Sequence, residues 1–560
     1  MYSGKLLLEI TELYKINFFK NLGMTNFKII RQIFYKFLII ISVGLVFELI
    51  YKGLKISTVY NSFENILFSF LLLSPLYLIS HRIVQSVYVY FVYLLFCLCT
   101  YFETVYYYLF DTFLSASSLF VSLESNRSEV TEFLSFYFDF EVIIFSVILI
   151  VTIVLSAYRL TSNLIFFKKL SKQVQIKVSV CIAIIVLFLK FSALIVYNLP
   201  YLILKSSIEY VLESNKLGNY KTNSTGDFLN VSRSVVGEDE VYVLVLGEST
   251  SRAHFGLYNY YRATTPKLTS IKDELLVYNN VISAHPHSIT SITKLLTLGN
   301  REHPEKISKG SIIQLANSAG FETIWLSNQR PIGIYESLVT KIALSSSRSN
   351  FLTTVQGVHN NVLDGELLTE LETVLANSSS SKKLIIIHLM GTHVNYASRY
   401  PETFNTFTDT PISNYGSDKI SKTINDYDNA VLYTDHVISK IIQQIKTLNK
   451  RSFVLYFSDH GEELFKDYNM AGHNEDISTK DMYDVPFILW QSENFKKYKY
   501  IEFVLDRPYM LDDLFHSLAD LLGISAREVD LHRSIFSSNF KSRKRIILKN
   551  SEYDSYFNLD

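Results

Sequence analysis

The sequence predicts an N-terminal α-helical transmembrane domain followed by a C-terminal α/β domain with a mainly parallel central sheet. Three observations lead there. Charge is unevenly spread: residues 1–200 carry 27 charged side chains and residues 201–560 carry 79. Five apolar runs, each near the ~20 residues needed to cross a bilayer, crowd the first 200 positions. After Val241, short β-branched runs alternate with helical stretches, the pattern of a sheet covered on both faces. The composition is 48 % hydrophobic and 19 % charged, below the usual quarter of charged residues. It excludes disorder, collagen and a disulfide scaffold, and a formal net charge of zero leaves no global footprint for nucleic acid.

The runs extend from about Ile33 to Ile50, Phe63 to Ile79, Ile83 to Phe102, Val142 to Tyr158 and Val178 to Tyr197. The second contains Pro75, which a membrane helix tolerates. Loop charge sets the orientation. Residues 1–32 hold five Lys/Arg, and the 159–177 loop holds five with no acid. The 103–139 loop holds six acids and one Arg. The N-terminus therefore faces the cytoplasm, and five spans put everything after Tyr197 outside. The first run lies too deep in the chain, with no small-residue cleavage pattern behind it, for a removed signal peptide. Three domains are expected: 1–199 with five spans, a 200–238 connector, and 239–560 as the exported α/β part. The connector opens apolar at Tyr201–Leu204 and turns polar from Asn215, which reads as an amphipathic helix on the outer leaflet followed by a flexible linker. The three cysteines, Cys97, Cys99 and Cys181, all fall in spans. The exported part has no disulfide and needs a sizeable core.

In that part, strands are expected at Val241–Leu246, Thr323–Leu326, Leu384–His388, Phe453–Phe457, Val485–Trp490 and Arg545–Leu548, with helices at Asp364–Ala376 and Ile424–Leu448. Parallel sheets bind ligands beyond the carboxyl ends of their strands. Three strands end in chemistry: Gly247-Glu248, Gly391-Thr392-His393, and Ser458-Asp459-His460-Gly461-Glu462, with Gly472-His473 a short loop later. Glu248, Asp459, His460, His393 and His473 form a carboxylate and imidazole set. Zn²⁺ favours such a set, and Mn²⁺ is the less fitting alternative. About 40 residues after Glu248, the stretch 285–293 supplies Ser288, Thr290, Ser291 and Thr293. A Ser or Thr hydroxyl becomes a nucleophile when a base or metal lowers its pKa. The same residues suit a helix N-terminus, where a phosphate anion is welcome.

Gly247-Glu248-Ser249-Thr250-Ser251-Arg252, followed by Tyr258-Asn259-Tyr260-Tyr261-Arg262-Ala263-Thr264-Thr265-Pro266, resembles the signature of bacterial phosphoethanolamine transferases. His388–His393, Ser458–Glu462 and Gly472-His473 match the family's later blocks in order. Ser117-Ser118 and 124–129 resemble its outer loop, so the likeness covers nearly the whole chain. The resemblance implies a multi-pass inner-membrane enzyme with a periplasmic domain of the alkaline phosphatase/sulfatase type. It implies Glu248, Asp459 and His460 as zinc ligands. Ser288 is the implied nucleophile and a further ligand, with Thr290 as the alternative. His393 and His473 would hold the phosphate or a second metal, or act as general acid or base. Ser125 and Glu129 would meet the ethanolamine head group, whose ammonium suits a carboxylate. The implied donor is phosphatidylethanolamine. The implied acceptor is lipopolysaccharide (lipid A, core or O-antigen) or another envelope glycan.

Two departures stand out: the family nucleophile is usually Thr, and its lipid A enzymes carry periplasmic disulfides. Rival readings are a lipoteichoic-acid-synthase-like phosphoglycerol transferase, a sulfatase-like membrane hydrolase, and a scaffold with a decayed site. The signature blocks oppose the first, the five spans the second and the complete ligand set the third.

Overall fold

The computed structural model describes residues 24–115, 119, 137–161, 171–216, 220, 222–233, 239–329, 338–352, 362–377, 380–474 and 476–559. Ser125 and Glu129 lie outside the described residues. The chain forms two compact units divided after Ile208.

The first unit is helical: α1 (Met24–Lys52), α2 (Ile56–Leu73), α3 (Arg82–Phe110), α4 (Phe140–Thr161), α5 (Lys172–Phe191) and the start of α6 (Leu199–Lys216). Four stretches are long and apolar enough to cross a membrane: Ile29–Lys52, Ile56–Tyr77, Arg82–Phe110 and Lys172–Phe191. The remaining expected span is α4, whose described apolar stretch, Phe140–Ser156, is shorter than those four. Aromatic packing fills the interior, with Phe37 against Phe96 and Tyr93, and Phe47 against Phe145. α2 starts seven residues before the expected Phe63, because its buried face carries Thr58, Asn61, Glu64, Asn65 and Ser69. An average over sequence dilutes such a helix, although its outward side is apolar. Pro75 does not kink α2 but opens the short turn that ends it, Ser74–Tyr77.

The second unit centres on a seven-stranded sheet: β1 (Glu240–Gly247), β2 (Leu275–Val277), β3 (Glu322–Ser327), β4 (Arg348–Phe351), β5 (Lys382–His388), β6 (Arg451–Ser458) and β7 (Phe487–Gln491). Their spatial order is β2-β7-β6-β1-β5-β3-β4. β1 lies centrally, parallel to β5 and β6, and β7 runs antiparallel to β6. Every residue of β1 is buried. Alternation sends Tyr242, Leu244 and Leu246 to one face, against Ile292 and Leu295 of α7 (Ser288–Leu296). Val241, Val243 and Val245 go to the other, against Leu367 of α8 (Glu366–Asn377) and Val431 and Ile438 of α9 (Asp418–Thr447). Full burial of each such side chain is worth about 1.5–3 kcal/mol. Register then aligns the strand ends: Leu246 pairs with His388 and Phe457, and Gly247 with Ser458. Glu248 and Asp459 therefore leave the sheet side by side.

Two expectations fail. Arg545–Leu548 is not a strand. Ile546 makes one bridge to Glu552, and Arg545 is buried between Asp554 and Asn280. The stretch expected as a flexible linker is docked where it is described. Tyr220 is buried and donates to the Ile307 carbonyl at 2.5 Å, and Asp227 N donates to the Lys309 carbonyl at 2.7 Å. Ser232–Arg233 pairs with Ile524–Ser525, the edge just after α10 (Leu514–Leu521).

Candidate active site

The end of β1 turns sharply into its loop. Ser249 adopts φ 58°, a left-handed conformation costly for a residue with a Cβ. The turn aims main-chain donors inward: Ser249 N donates to Asp459 Oδ1 at 3.0 Å and Thr250 N to Ser458 Oγ at 2.9 Å. Tyr427 of α9 braces it, donating to the Ser249 carbonyl while accepting from Ser251 N, both at 2.8 Å. Opposite stands Gly391 at φ 54°, where a Cβ would meet Glu248 O at 2.7 Å. Asp364 fixes that loop by accepting from Met390 N and Gly391 N at 2.8 and 2.9 Å.

Glu248, Asp459 and His460 meet between these loops, fully buried, with one ligand atom from each within 4.8 Å of the others. Glu248 Oε1 accepts from Ser249 Oγ and Ser288 Oγ, both at 2.7 Å, and its Oε2 accepts from Gln329 Nε2 at 3.1 Å. Asp459 Oδ1 also accepts from His460 N at 2.8 Å. His460 Nδ1 donates to the Gly461 carbonyl at 2.8 Å, which leaves the Nε2 lone pair facing inward. Nε2 lies 3.2 Å from Ser288 Oγ, 3.4 Å from Glu248 Oε1 and 3.6 Å from Asp459 Oδ2. Asp459 Oδ2 is buried without a hydrogen-bond partner. Two carboxylates, an imidazole lone pair, a hydroxyl and one unmet buried oxygen fit a divalent metal ion well.

The charges oppose one another strongly. Burial works against the Glu248 carboxylate, but the hydrogen bond and charge of His460, with the charge of His393, hold it well below the usual range. Burial, then the Glu248 charge, pushes Asp459 up. Burial disfavours the His460 imidazolium, yet Asp459 and Glu248 together push it up. Burial and the charges of His473 and His460 keep His287 neutral, well below the usual range.

The structure brings together Glu248, Asp459, His460 and Ser288. His473 joins at the rim: its ring lies 4.3 Å from that of His460, and its Nδ1 lies 3.1 Å from Glu462 Oε1. Tyr396 in turn donates to Glu462 Oε2. His393 follows the Gly391 loop, close enough to act on the Glu248 charge. Ser288 is the first residue of α7, just after the extended His287. Thr290 is also helical, so it points about 200° away around the axis. Its hydroxyl makes no hydrogen bond to the triad among the described residues. Ser291, about one helical turn after Ser288, donates to the Asp459 carbonyl at 2.6 Å. Sequence reasoning missed Gln329, Asp364, Tyr396 and Tyr427, which reach the site only through sheet register.

The second signature block proves structural. Arg262 donates to Asn425 and Asp428 of α9 at 2.8 and 2.7 Å and to Asp409 at 2.8 Å, and His254 Nδ1 lies 2.8 Å from Asp428. It locks the loop after β1 to α9.

Comparison with known proteins agrees with this geometry. The sulfatase family model matches residues 240–524. The phosphoethanolamine transferase EptC of Escherichia coli strain K12 is 31 % identical over 517 residues, covering 86 % of this chain and 88 % of that protein. The crystal structure of the C-terminal periplasmic domain of E. coli EptC in complex with Zn is 33 % identical, with a TM-score of 0.56, covering 58 % of this chain and 94 % of that one. The integral membrane lipooligosaccharide phosphoethanolamine transferase A of Neisseria meningitidis shares the fold. Its TM-score is 0.65 at 20 % identity, covering 91 % of this chain and 97 % of that one.

Proposed function

The chain belongs to the phosphoethanolamine transferase family, and on that premise we propose the reaction its site performs: phosphoethanolamine passes from phosphatidylethanolamine, through Ser288, to a lipopolysaccharide acceptor in lipid A, core or O-antigen. One observation carries the assignment of Ser288. Its Oγ donates to Glu248 Oε1 at 2.7 Å, lies 3.2 Å from His460 Nε2, and heads a helix whose N-terminus favours an anion.

Glu248, Asp459, His460 and Ser288 would hold a zinc ion. When bound, zinc supplies Lewis acidity, lowering the hydroxyl pKa and stabilising charge that develops on the phosphoryl oxygens. The chain's own residues do the rest. Glu248 Oε1, which accepts the Ser288 hydrogen bond, aims Oγ at phosphorus, and His473 takes up the hydroxyl proton as Oγ attacks. The Oγ–P bond forms and the bond from phosphorus to the diacylglycerol oxygen breaks. His473, oriented by Glu462 at the rim, returns a proton to that departing oxygen. His393 steadies the phosphoryl oxygens. In the second half-reaction an acceptor oxygen attacks phosphorus, the Ser288–P bond breaks, and the acceptor's proton passes through the same histidine to Ser288 Oγ, which restores the hydroxyl. Ser125 and Glu129 meet the ethanolamine ammonium.

The setting we propose is the inner membrane with the second unit in the periplasm, as the basic excess of the 159–177 loop supports. A reporter fused after Lys221 is then active only outside the cytoplasm. Intact-protein mass spectrometry after incubation with phosphatidylethanolamine tests the intermediate. One phosphoethanolamine adds to the wild type and to Thr290→Ala, none to Ser288→Ala. Product formed with no adduct on the wild type would replace the two-step route by direct transfer. Mass spectrometry of envelope glycolipids with and without the gene identifies the acceptor.

A further inference from the structure

The interior of the first unit is unusually acidic. α2 buries Thr58, Asn61, Glu64, Asn65 and Ser69 and exposes Val59, Tyr60, Phe63 and Phe70. α3 meets it with Thr100, Glu103, Thr104 and Tyr107 on a single face, spaced i, i+3, i+4 and i+7. α1 adds Glu48 and comes close through Gly44, where a Cβ would lie 2.8 Å from Thr104 Oγ1. The three glutamates are 2 %, 0 % and 3 % exposed in chain order.

Their donors are few. Asn65 Nδ2 donates to Glu103 Oε2 at 2.8 Å, Asn198 Nδ2 to Glu64 Oε1 at 2.8 Å, and Thr104 Oγ1 to Glu48 Oε1 at 3.1 Å. Five oxygens stay buried without a hydrogen-bond partner: Glu48 Oε2, Glu64 Oε2, Asn61 Oδ1, Asn65 Oδ1 and Thr100 Oγ1. Four of them can only accept when the carboxylates are ionised. No Lys, Arg or His pairs with any of the three glutamates among the described residues. Ionisable groups inside membrane helices are strongly disfavoured unless something compensates them, and they mark function. A surplus of oxygen acceptors with no cationic side chain calls for a cation.

We propose that Glu64 and Glu103, with the amide oxygens of Asn61 and Asn65, bind a hard divalent cation between α2 and α3. Both amides come from the α2 face that carries Glu64. Asn65 donates to Glu103, which puts this face of α2 against Glu103 of α3, and the Oδ1 atoms of both amides are buried without a hydrogen-bond partner. Two carboxylates neutralise a divalent ion, as a hydrocarbon surrounding requires. The oxygen-only donor set selects Ca²⁺ or Mg²⁺ and disfavours zinc, which seeks nitrogen and sulfur. Ca²⁺ fits better, since it accepts irregular carboxylate and amide geometry where Mg²⁺ demands a strict octahedron. Glu48 lies behind, tied to Thr104. Glu64 is eight residues from the start of α2, about 12 Å along its axis, within reach of ions from the side where α1 and α3 end.

Equilibrium dialysis with radioactive Ca²⁺ tests this on the purified full chain in detergent. The protein is first stripped on a chelating resin and then given one equivalent of zinc. The expected result is one saturable Ca²⁺ per chain with a Kd of about 10⁻⁴–10⁻³ M, as in extracellular sites. That binding persists in Asp459→Ala and weakens at least about tenfold in Glu64→Gln and Glu103→Gln, both isosteric. If a glutamine variant fails to fold, Asn61→Ser takes its place and is expected to weaken Ca²⁺ in the same direction. No saturable Ca²⁺ binding overturns the proposal. So does binding that survives Glu64→Gln with Glu103→Gln, and so does binding that disappears in Asp459→Ala, which would place the ion at the triad.

Discussion

Among the carboxylates the chain buries, two clusters have surroundings that differ in kind. At Glu248 and Asp459, three of the four carboxylate oxygens accept hydrogen bonds: Asp459 Oδ1 takes two from main-chain N–H groups, and Glu248 takes its own from two serine hydroxyls and the Gln329 amide. At Glu48, Glu64 and Glu103, the donors are side-chain amides and one hydroxyl. The difference follows from secondary structure. A strand end or tight turn leaves N–H groups free to aim at an anion. A membrane helix has committed every N–H to itself, so only side chains can serve. That is why asparagines accompany Glu64 and Glu103, whereas serine and bare backbone accompany the carboxylates beyond β1.

The largest expected effect separates the two places most sharply. Ser288→Ala lowers turnover by at least about 10³-fold and leaves melting within about 0.5 kcal/mol, because the side chain is only half-buried. Trp325 and Trp490, the two tryptophans, both lie in the second unit, so tryptophan fluorescence reads its melting directly. Arg262→Met comes next. It strips Asp428 and Asn425 of their cation and costs about 3–5 kcal/mol in that melt. A loss under about 1 kcal/mol would mean that α9 does not depend on this clamp. Gly391→Ala is expected to cost about 1–3 kcal/mol and to lower activity, since its Cβ would press on the Glu248 backbone. Glu462→Gln lowers activity about 10–100-fold, seen in turnover of the donor, because His473 loses the carboxylate that orients it. The smallest effect belongs to the first unit. In calcium-free solution Glu64→Gln shifts the tryptophan-reported melt by less than about 0.5 kcal/mol. A shift as large as that of Arg262→Met would erase the contrast between the two clusters.

The sequence made the sheet and triad legible for a physical reason. A strand buried on both faces is a run of β-branched residues, and such a run stops visibly at Gly247, His388 or Ser458. Ligands that follow those stops declare themselves. The choice between Ser288 and Thr290 was not legible, because it depends on where an extended chain turns helical. His287 at φ −150° and ψ 152° is the last extended residue, and that one-residue boundary sends the two hydroxyls to different sides. Arg545–Leu548 misled for the opposite reason. Ile546 and Ile547 look like a strand, but Arg545 is sequestered by Asp554 and only one bridge forms. The start of α2 was hidden by its own amphipathicity, since polar residues that face other helices count against a membrane span in any average.

All three cysteines lie in α3 and α5, so the second unit has no thiol at all. Its folding involves no thiol oxidation: no oxidase must act on it and no isomerase must correct it. Activity should therefore withstand millimolar reductant and survive in a cell whose periplasmic oxidation has been disabled. The same absence gives an experimental handle. One cysteine placed beside the His473 rim would be the unit's sole thiol, and a single dye or spin label there would report the arrival of a ligand.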